Sequence, residues 1–333
     1  MTSPSLSTEQ RIQITEANCP RNSMAEDVEK GLTNNPKVLY PKYLYDDRGS
    51  ELFTEICALP EYYQTRTERR ILKACSMSIA ENYRPTTLVE YGAGAAKKTH
   101  QLLDAMREVG TLRNYVPIDV SSDFLQESAM RLAERYPRLT IHGLTGDFLE
   151  QIDLPYPDEP RLIAFLGSTI GNLTDDEADI FLHQITSQMN TGDLFLLGTD
   201  LVKDVAVLEA AYNDSQGVTE KFNKNILGVI NRELNADFTP HTFHHHAFYN
   251  PVERQIEIHL VSKEKQSFRI EAIDLTVEFE KGESVRTEIS CKYTKRRIMK
   301  LLRQSGLTLL DWCTDPRQYF ALSLSRLSSG NVS

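Results

Sequence analysis

Two acidic residues and two glycines occur at a spacing that suits a small nucleotide-like ligand. Glu90-Tyr91-Gly92-Ala93-Gly94 ends one predicted strand, and Asp119 ends the next. Glycines at a strand end let backbone N–H groups approach a cofactor closely, and a carboxylate at Asp119 can accept hydrogen bonds from both ribose hydroxyls. Asp119 could instead be only a helix N-terminal charge. The third glycine of the dinucleotide pattern would stand at Lys97, so a pyrophosphate-binding turn is disfavoured.

Two further groups of residues could line a ligand site. Asp147 and Phe148 follow the third predicted strand, where the carboxylate could accept from an adenine amino group and the ring could pack on the base. The pair alone is also typical of a turn. Tyr45, Phe53 and Tyr62 lie in a tyrosine-rich stretch near the N-terminus. This stretch is either a cap that packs on a neighbouring domain or the aromatic wall of a small-molecule pocket.

The elements that must position these residues alternate between strands and helices. Such an alternation predicts a mostly parallel sheet with right-handed crossovers. The chain ends with two strand-like runs separated by Asp315 and Pro316, which predict an antiparallel hairpin. The predicted strands are 87–91, 114–119, 138–142, 161–167, 193–199, 307–312 and 319–325.

A second architecture interrupts the first after Asp200. Two helical stretches there are followed by alternating runs that are typical of antiparallel strands. We therefore expect an α/β core plus a second, α+β domain formed from two chain segments. The charges at 67–70 are expected to lie on a solvated helix face. The predicted boundaries are a flexible tail at 1–20, a core at 64–200 and 292–333, and a second domain at 21–63 and 201–291.

Composition excludes several classes of function. The 333 residues carry a net charge of −10, which argues against a nucleic-acid partner. No apolar run is long enough to cross a bilayer, and the N-terminus lacks the pattern of a secretory signal, so a cytoplasmic location is expected. Five cysteines without close spacing fit neither a disulfide framework nor a zinc site, and no metal is expected.

The order of these features resembles that of known methyltransferases. The acidic glycine turn, Asp119, Asp147-Phe148 and the terminal hairpin resemble the Rossmann-like class I methyltransferases that use S-adenosylmethionine (SAM), whose core is a mixed seven-stranded sheet. Longer segments are similar to one family, the L-histidine Nα-methyltransferases of ergothioneine biosynthesis. They run in unchanged order from about Lys37 to the end and include 44–46, 52–53, 59–68, 165–173, 197–204, 287–292 and 314–316.

This resemblance implies SAM as methyl donor, S-adenosylhomocysteine as product, and L-histidine as the substrate that is trimethylated to hercynine by a monomeric enzyme. It implies no dedicated general base; Asn172 and Tyr45 would orient the amine. The implied cofactor-binding residues are Gly92, Gly94, Lys98, Asp119, Asp147 and Phe148. The implied histidine-binding residues are Tyr62, Asn172, Tyr212, Glu288, Ile289 and Ser290, with Tyr45 and Phe53 in the aromatic wall.

Glu288 and Ser290 are the pair that the resemblance assigns to the imidazole ring. Residues two apart on a strand point to the same face. Glu288 can accept an imidazole N–H while Ser290 satisfies the other ring nitrogen, which indole and phenyl rings cannot reproduce. The alternatives are a related enzyme for tryptophan or another aromatic amino acid, and a catalytically silent SAM-binding protein. A protein or nucleic-acid methyltransferase is less favoured because of the acidic charge.

Overall fold

The computed structural model describes residues 9–17, 23–94, 98–150 and 152–328. The strands are β1 (Ile12–Glu16), β2 (Lys37–Val38), β3 (Thr87–Tyr91), β4 (Asn114–Asp119), β5 (Thr140–Thr145), β6 (Arg161–Phe165), β7 (Leu194–Asp200), β8 (Phe243–Asn250), β9 (Gln255–Ser262), β10 (Gln266–Ile270), β11 (Leu275–Phe279), β12 (Ser284–Cys291), β13 (Leu307–Thr314) and β14 (Phe320–Leu327). The helices are α1 (Met24–Thr33), α2 (Asp47–Ala58), α3 (Gln64–Tyr83), α4 (His100–Glu108), α5 (Ser122–Arg135), α6 (Asp175–Gln188), α7 (Val205–Ala210), α8 (Val218–Leu234) and α9 (Lys295–Gln304).

The chain divides into two compact units. The first unit comprises the described residues of Met1–Arg21, Thr67–Leu201 and Tyr293–Ser333. The second unit comprises those of Asn22–Arg66 and Val202–Lys292. Across the described residues, none of the helices combines the length and the apolar character needed to cross a membrane.

The first unit contains an eight-stranded mixed sheet in the order β1-β5-β4-β3-β6-β7-β14-β13. The strands from β1 to β7 in this order pair in parallel, whereas β14 pairs antiparallel with both β7 and β13. After the edge strand β1, the chain continues at the central β3, extends to one side through β4 and β5, and returns to the other side through β6 and β7. The predicted Rossmann-like class and its C-terminal antiparallel hairpin are confirmed.

The centre of this sheet is buried along its whole length. Every residue of β3, β6 and β7 is buried. Strands covered on both faces need nearly continuous apolar runs, which is why these three segments are recognisable in the sequence. Their carboxyl ends lie on one edge of the sheet, where open α/β sheets bind ligands.

The predicted flexible tail is wrong for the part that the structure describes, and the predicted strand number is one too low. Ile12–Glu16 forms β1, which pairs in parallel with β5 from Ile12↔Ile141 to Glu16↔Thr145. Just before β1, the buried Arg11 guanidinium donates to three carbonyl oxygens around the end of α5, those of Ala133, Tyr136 and Leu139. The short run is half polar, so its pattern alone is weak; pairing with β5 makes it a strand. Residues 1–8 and 18–20 lie outside the described residues.

The second unit is built on an antiparallel arrangement. Strands β12, β9 and β8 form an antiparallel sheet to which the short β2 adds in parallel, and β10 and β11 form a separate hairpin. Its longest helix within the unit is α8, whose buried side chains include Phe222 and Asn223. The segment Ser284–Cys291 is the central strand β12 that carries Glu288 and Ser290.

Candidate active site

The turn after β3 has an open glycine backbone. Gly92 and Gly94 have φ angles of 66° and 49°, in the left-handed region that favours glycine. Among the described residues, a Cβ atom on either glycine would meet no heavy atom within 4 Å. The Gly92 N–H donates to the Ile118 carbonyl oxygen at 2.9 Å, which holds the turn against β4. The backbone conformation therefore requires the glycines, and the space beside them suits a ligand.

Asp119 joins this turn to the beginning of the next helix. Its Oδ2 accepts a hydrogen bond from the Gly94 N–H at 2.9 Å, and its Oδ1 accepts from the Ser121 N–H at 3.3 Å. Burial raises the pKa of the Asp119 carboxyl above its usual value. Ser121 is the N-cap of α5, because its hydroxyl accepts from the Phe124 N–H. The capping role belongs to Ser121, and Asp119 holds the glycine turn.

Lys98 lies beside a buried carboxylate. Its Nζ pairs with Glu68 Oε2 at 2.5 Å. Glu68 is fully buried at 0 % exposure, and its Oε1 accepts the Gly167 N–H at 2.7 Å. A Cβ at Gly198 would overlap Glu68 Oε1, so the missing side chain makes room for the carboxylate. Glu68 therefore connects Lys98 to the loop after β6.

Sequence reasoning missed Glu68. The expectation that the charges at 67–70 are solvated is wrong for this residue, although Arg69 and Arg70 are exposed. The available signal was helical spacing: Glu68 precedes Ile71, Leu72 and Cys75 on one face of α3, and all three are buried. A carboxylate on that face has to be paired, because an unpaired buried charge is costly.

Asp147 and Phe148 form the turn after β5. The Asp147 Oδ1 accepts from the Leu149 N–H at 3.1 Å, which is a turn contact. The Phe148 ring packs edge to face on Phe165 and Phe181, with centroid separations of 5.3 and 5.8 Å. The aromatic contacts fix the position of Phe148 at the edge where β5 and β6 end.

Asn172 ends a short 3-10 turn, Thr169–Asn172, in the first unit. Before it, Ser168 adopts a left-handed backbone, and its hydroxyl accepts from the Asp200 N–H at 2.9 Å. The Tyr293 hydroxyl donates to the Ile170 carbonyl oxygen at 3.2 Å. The turn that carries Asn172 is thus held to the end of β7. The other predicted histidine-binding residues belong to the second unit.

Glu90 is a buried titratable group immediately before the glycine turn. Its Oε2 accepts the hydroxyl hydrogens of Thr99 and Tyr115, both at 2.6 Å. Burial raises the pKa of Glu90 to about 7. Glu90 therefore joins β3, β4 and the beginning of α4 in the interior of the first unit.

The predicted aromatic residues form one cluster in the second unit. Tyr45, Phe53, Tyr62 and Tyr212 contact one another in sequence, with ring centroids 5.5, 6.1 and 6.3 Å apart. Phe222 of α8 contacts both Tyr45 and Phe53 and was missed, because its place on the buried face of a helix is also typical of core packing. Burial raises the pKa of Tyr62 well above its usual value, so its hydroxyl stays protonated.

Glu288, Ile289 and Ser290 lie on β12, opposite β9. The register of this pairing shifts between Arg286 and Glu288, and then places Ser290 opposite Ile256. Ile289 and Ser290 are buried, whereas Glu288 is partly exposed. After the irregularity, the residues two apart point to the same face. The structure therefore keeps Glu288 and Ser290 on one side of the strand.

Ser290 belongs to a buried hydrogen-bonded group that includes two residues missed by sequence reasoning. The Tyr212 hydroxyl donates to Ser290 Oγ at 2.8 Å, and Gln64 Nε2 donates to the Tyr212 hydroxyl at 2.8 Å. The Lys292 Nζ donates to Ser290 Oγ at 2.7 Å and to the Tyr212 hydroxyl at 3.0 Å. Lys292 has 0 % exposure. The alternation of Glu288, Ser290 and Lys292 was the signal that could have found the lysine.

Comparison with known proteins adds a consistent set of relatives. Residues 24–327 match the family described as "Histidine-specific methyltransferase, SAM-dependent". The chain is 46 % identical over 303 residues to the histidine N-alpha-methyltransferase of Mycobacterium tuberculosis, covering 91 % of this chain and 94 % of that protein. It is 44 % identical to the enzyme of the same name from Mycolicibacterium smegmatis, covering 93 % and 96 %. It is 34 % identical over 200 residues to ergothioneine biosynthesis protein 1 of Schizosaccharomyces pombe, covering 56 % and 26 %.

Proposed function

Because the chain belongs to the histidine-specific, SAM-dependent methyltransferase family, we propose that it transfers methyl groups from SAM to the α-amino nitrogen of L-histidine. The observation that carries this proposal is the family match over residues 24–327, together with 46 % identity to a histidine N-alpha-methyltransferase along 94 % of that protein. The product after three transfers is hercynine, the first intermediate on the way to ergothioneine. A relative named for ergothioneine biosynthesis supports this place in metabolism.

The first unit supplies the cofactor half of the site in this proposal. When bound, SAM supplies the methyl group. Three observations suit it: the open turn at Gly92 and Gly94, the Asp119 carboxylate at the end of β4, and the anchored Phe148 ring. Asp119 would bind the ribose, Asp147 and Phe148 the adenine, and Lys98 the carboxylate.

The second unit supplies most of the contacts to histidine. Glu288 would accept an imidazole N–H, and the Ser290 hydroxyl would satisfy the other ring nitrogen, with Ile289 between them on β12. The buried position of Ser290 supports this role, because a buried polar group rejects a ring that leaves it unpaired. Tyr62 and Tyr212, with Asn172 of the first unit, would bind the amino and carboxylate groups.

Methyl transfer places few chemical demands on the chain beyond orientation. The amine must lose a proton before each transfer, and its lone pair must be held in line at about 3 to 3.5 Å from the methyl carbon. Asn172 and Tyr45 would orient this nitrogen. Tyr62 is a hydrogen-bond donor and not a base, because burial raises the pKa of its hydroxyl. The proton then leaves to solvent without a dedicated general base.

The location and the assembly of the enzyme are two further proposals. We propose a cytoplasmic monomer. The four described cysteines, Cys57, Cys75, Cys291 and Cys313, are thiols, which supports a reducing compartment. Sedimentation of the purified protein tests the monomer.

The experiment that tests the function is mass spectrometry of the purified protein with SAM and one amino acid per tube: L-histidine, L-tryptophan, L-tyrosine or L-phenylalanine. We expect up to three added methyl groups on histidine and none on the other three. Methylation of tryptophan instead would overturn the assignment of the substrate. If no amino acid is methylated while SAM still binds, the protein is a silent SAM-binding protein.

A further inference from the structure

Strand β12 contains one residue more than the part of β9 with which it pairs. Arg286 lies opposite His259, whereas Glu288 lies opposite Ile258. Two steps along β12 therefore correspond to one step along β9, and Thr287 is the extra residue of a β-bulge. The Thr287 side chain is fully buried. The bulge comes directly before the residues proposed to bind the imidazole ring.

The bulge decides on which face of the sheet Glu288 and Ser290 lie. Residues directly opposite each other in an antiparallel pair share a face. After the bulge, Glu288 and Ser290 lie opposite Ile258 and Ile256, which belong to the buried face of β9. The same strand paired without a bulge would place Thr287 opposite Ile258, so every later side chain would change face. Glu288 and Ser290 would then lie on the other side of the sheet.

The apolar pattern of β12 opposes the bulge. Val285, Thr287, Ile289 and Cys291 alternate with polar residues. Val285 lies opposite the buried Leu260, so a regular strand would continue this mostly apolar row along the buried face. The bulge interrupts the row after one residue. A contact from outside the strand is therefore needed to hold the extra residue in place.

Asn223 of α8 supplies that contact. Its Oδ1 accepts the Thr287 hydroxyl at 2.5 Å, while the Ile258 carbonyl oxygen lies farther from this hydroxyl, at 3.1 Å. The Asn223 NH2 group donates to the His259 carbonyl oxygen at 3.2 Å. A carbonyl oxygen can only accept, so this contact fixes the orientation of the amide. The buried Asn223 thus joins β12 and β9 at the bulge.

The same amide connects the bulge to Tyr212. Its NH2 group also donates to His245 Nδ1 at 3.0 Å, and His245 Nε2 donates to the Tyr212 carbonyl oxygen at 2.9 Å. Burial lowers the pKa of His245, which favours the neutral ring that these two contacts require. The hydrogen bonds therefore run from β12 through α8 and β8 to a second residue of the proposed histidine site.

We propose that Asn223 is a positioning residue for histidine binding, because it holds the Thr287 bulge. The bulge in turn directs Glu288 and Ser290 toward the imidazole ring. This inference rests on the proposed function, in which those two residues bind the ring. Asn223 acts through other residues, since its oxygen and its NH2 group both contact the protein. Its neighbour Phe222 packs on the aromatic cluster, so one turn of α8 supports both parts of the site.

The variant Thr287→Val removes the hydroxyl and keeps the volume of the side chain. We expect KM for histidine to rise about tenfold, because β12 can then shift its register and withdraw Glu288 from the ring. The kcat should change by less than about twofold, since other residues orient the amine. Thr287→Ser keeps the hydroxyl and should keep the wild-type KM. Steady-state kinetics measure these effects, and calorimetry should show an unchanged Kd for SAM.

Asn223→Leu tests the amide, and Asn231→Leu is the matched control. Asn223→Leu should raise KM for histidine at least as much as Thr287→Val does. Asn231 lies two turns later on α8, and its NH2 group also donates to a backbone carbonyl oxygen, that of Phe238, at 2.7 Å. Asn231→Leu should therefore lower the free energy of unfolding without changing KM.

A double-mutant cycle separates positioning from a general loss of structure. In a Glu288→Ala background, Thr287→Val should raise KM by about threefold or less, since only the Ser290 contact is left to be lost. A tenfold rise in both backgrounds would make Thr287 a structural residue and overturn the inference.

The outcomes also separate this inference from the proposed function. If Thr287→Val or Asn223→Leu folds and keeps the wild-type KM, the inference is wrong while histidine methylation stands. The same holds if Asn231→Leu raises KM as much as Asn223→Leu does. If the wild type neither binds nor methylates histidine, the proposed function itself fails.

Discussion

Glu288 is partly exposed on β12, and no other residue of this strand has a carboxylate that could replace it. We expect Glu288→Ala to raise KM for histidine by about 10- to 100-fold, the equivalent of losing one hydrogen bond to a charged group. The Kd for SAM should change by less than about twofold, because the residues proposed to bind the cofactor belong to the first unit. Steady-state kinetics and calorimetry measure the two effects. Glu278→Ala, at an exposed strand position, is the control. Equal losses of both ligands would make Glu288 a structural residue.

Glu90 gives the free energy of unfolding a dependence on pH. Burial raises the pKa of Glu90 from 4.5 to about 7, so between these values the folded state holds a proton that the unfolded chain has released. The free energy of unfolding therefore decreases as pH rises across this interval, by about 3 kcal/mol at most. Asp119, whose pKa is also raised, contributes in the same direction. Glu90→Gln should flatten this slope in urea titrations at pH 5 to 8, and parallel slopes would contradict the assignment.

At the scale of elements, the buried Glu68 connects α3 to the loop after β6. Gly198→Ala would place a methyl group against Glu68 Oε1 and displace the carboxylate from Lys98 and from the Gly167 N–H. We expect a loss of about 3 kcal/mol in the free energy of unfolding and weaker SAM binding. Denaturant unfolding and calorimetry measure both. Gly228→Ala in α8, where a Cβ meets nothing within 4 Å, is the matched control and should be neutral or slightly stabilising. A neutral Gly198→Ala would show that the ion pair can shift at little cost.

The edge strand β1 depends on Arg11. This guanidinium donates to three carbonyl oxygens at the end of α5, and the one of Tyr136 also accepts the Leu139 N–H. Arg11→Met should reduce the free energy of unfolding by about 1 to 3 kcal/mol and increase hydrogen exchange in β1 and β5. Arg138→Met, at an exposed position, should leave both unchanged. Unchanged exchange in Arg11→Met would mean that strand pairing alone holds β1.

At the scale of the whole molecule, the succession of strands and helices along the core was accessible from the sequence because the relevant signals are local. Apolar runs, glycine turns and capping residues predict each strand and helix, and right-handed crossovers then leave few possible arrangements. The capping box at Thr174 and Glu177 is one such local signal that the structure contains. One exception is β1, a short, half-polar run whose conformation depends on pairing with β5.

The candidate site likewise has features that the sequence determined and features that only the tertiary structure decided. The sequence by itself determined the family and the class of cofactor, because residue types and their order persist along the chain without reference to contacts. Only the tertiary structure decided that Glu68 and Lys292 are fully buried and which groups they bind. From the sequence alone, a charged residue is predicted to be exposed unless its partners are known. Here those partners are distant in sequence: the Gly167 N–H for Glu68, and the Tyr212 hydroxyl for Lys292. The burial of a charge is a property of the packed interior, where the cost of desolvation is offset by contacts that no local pattern records.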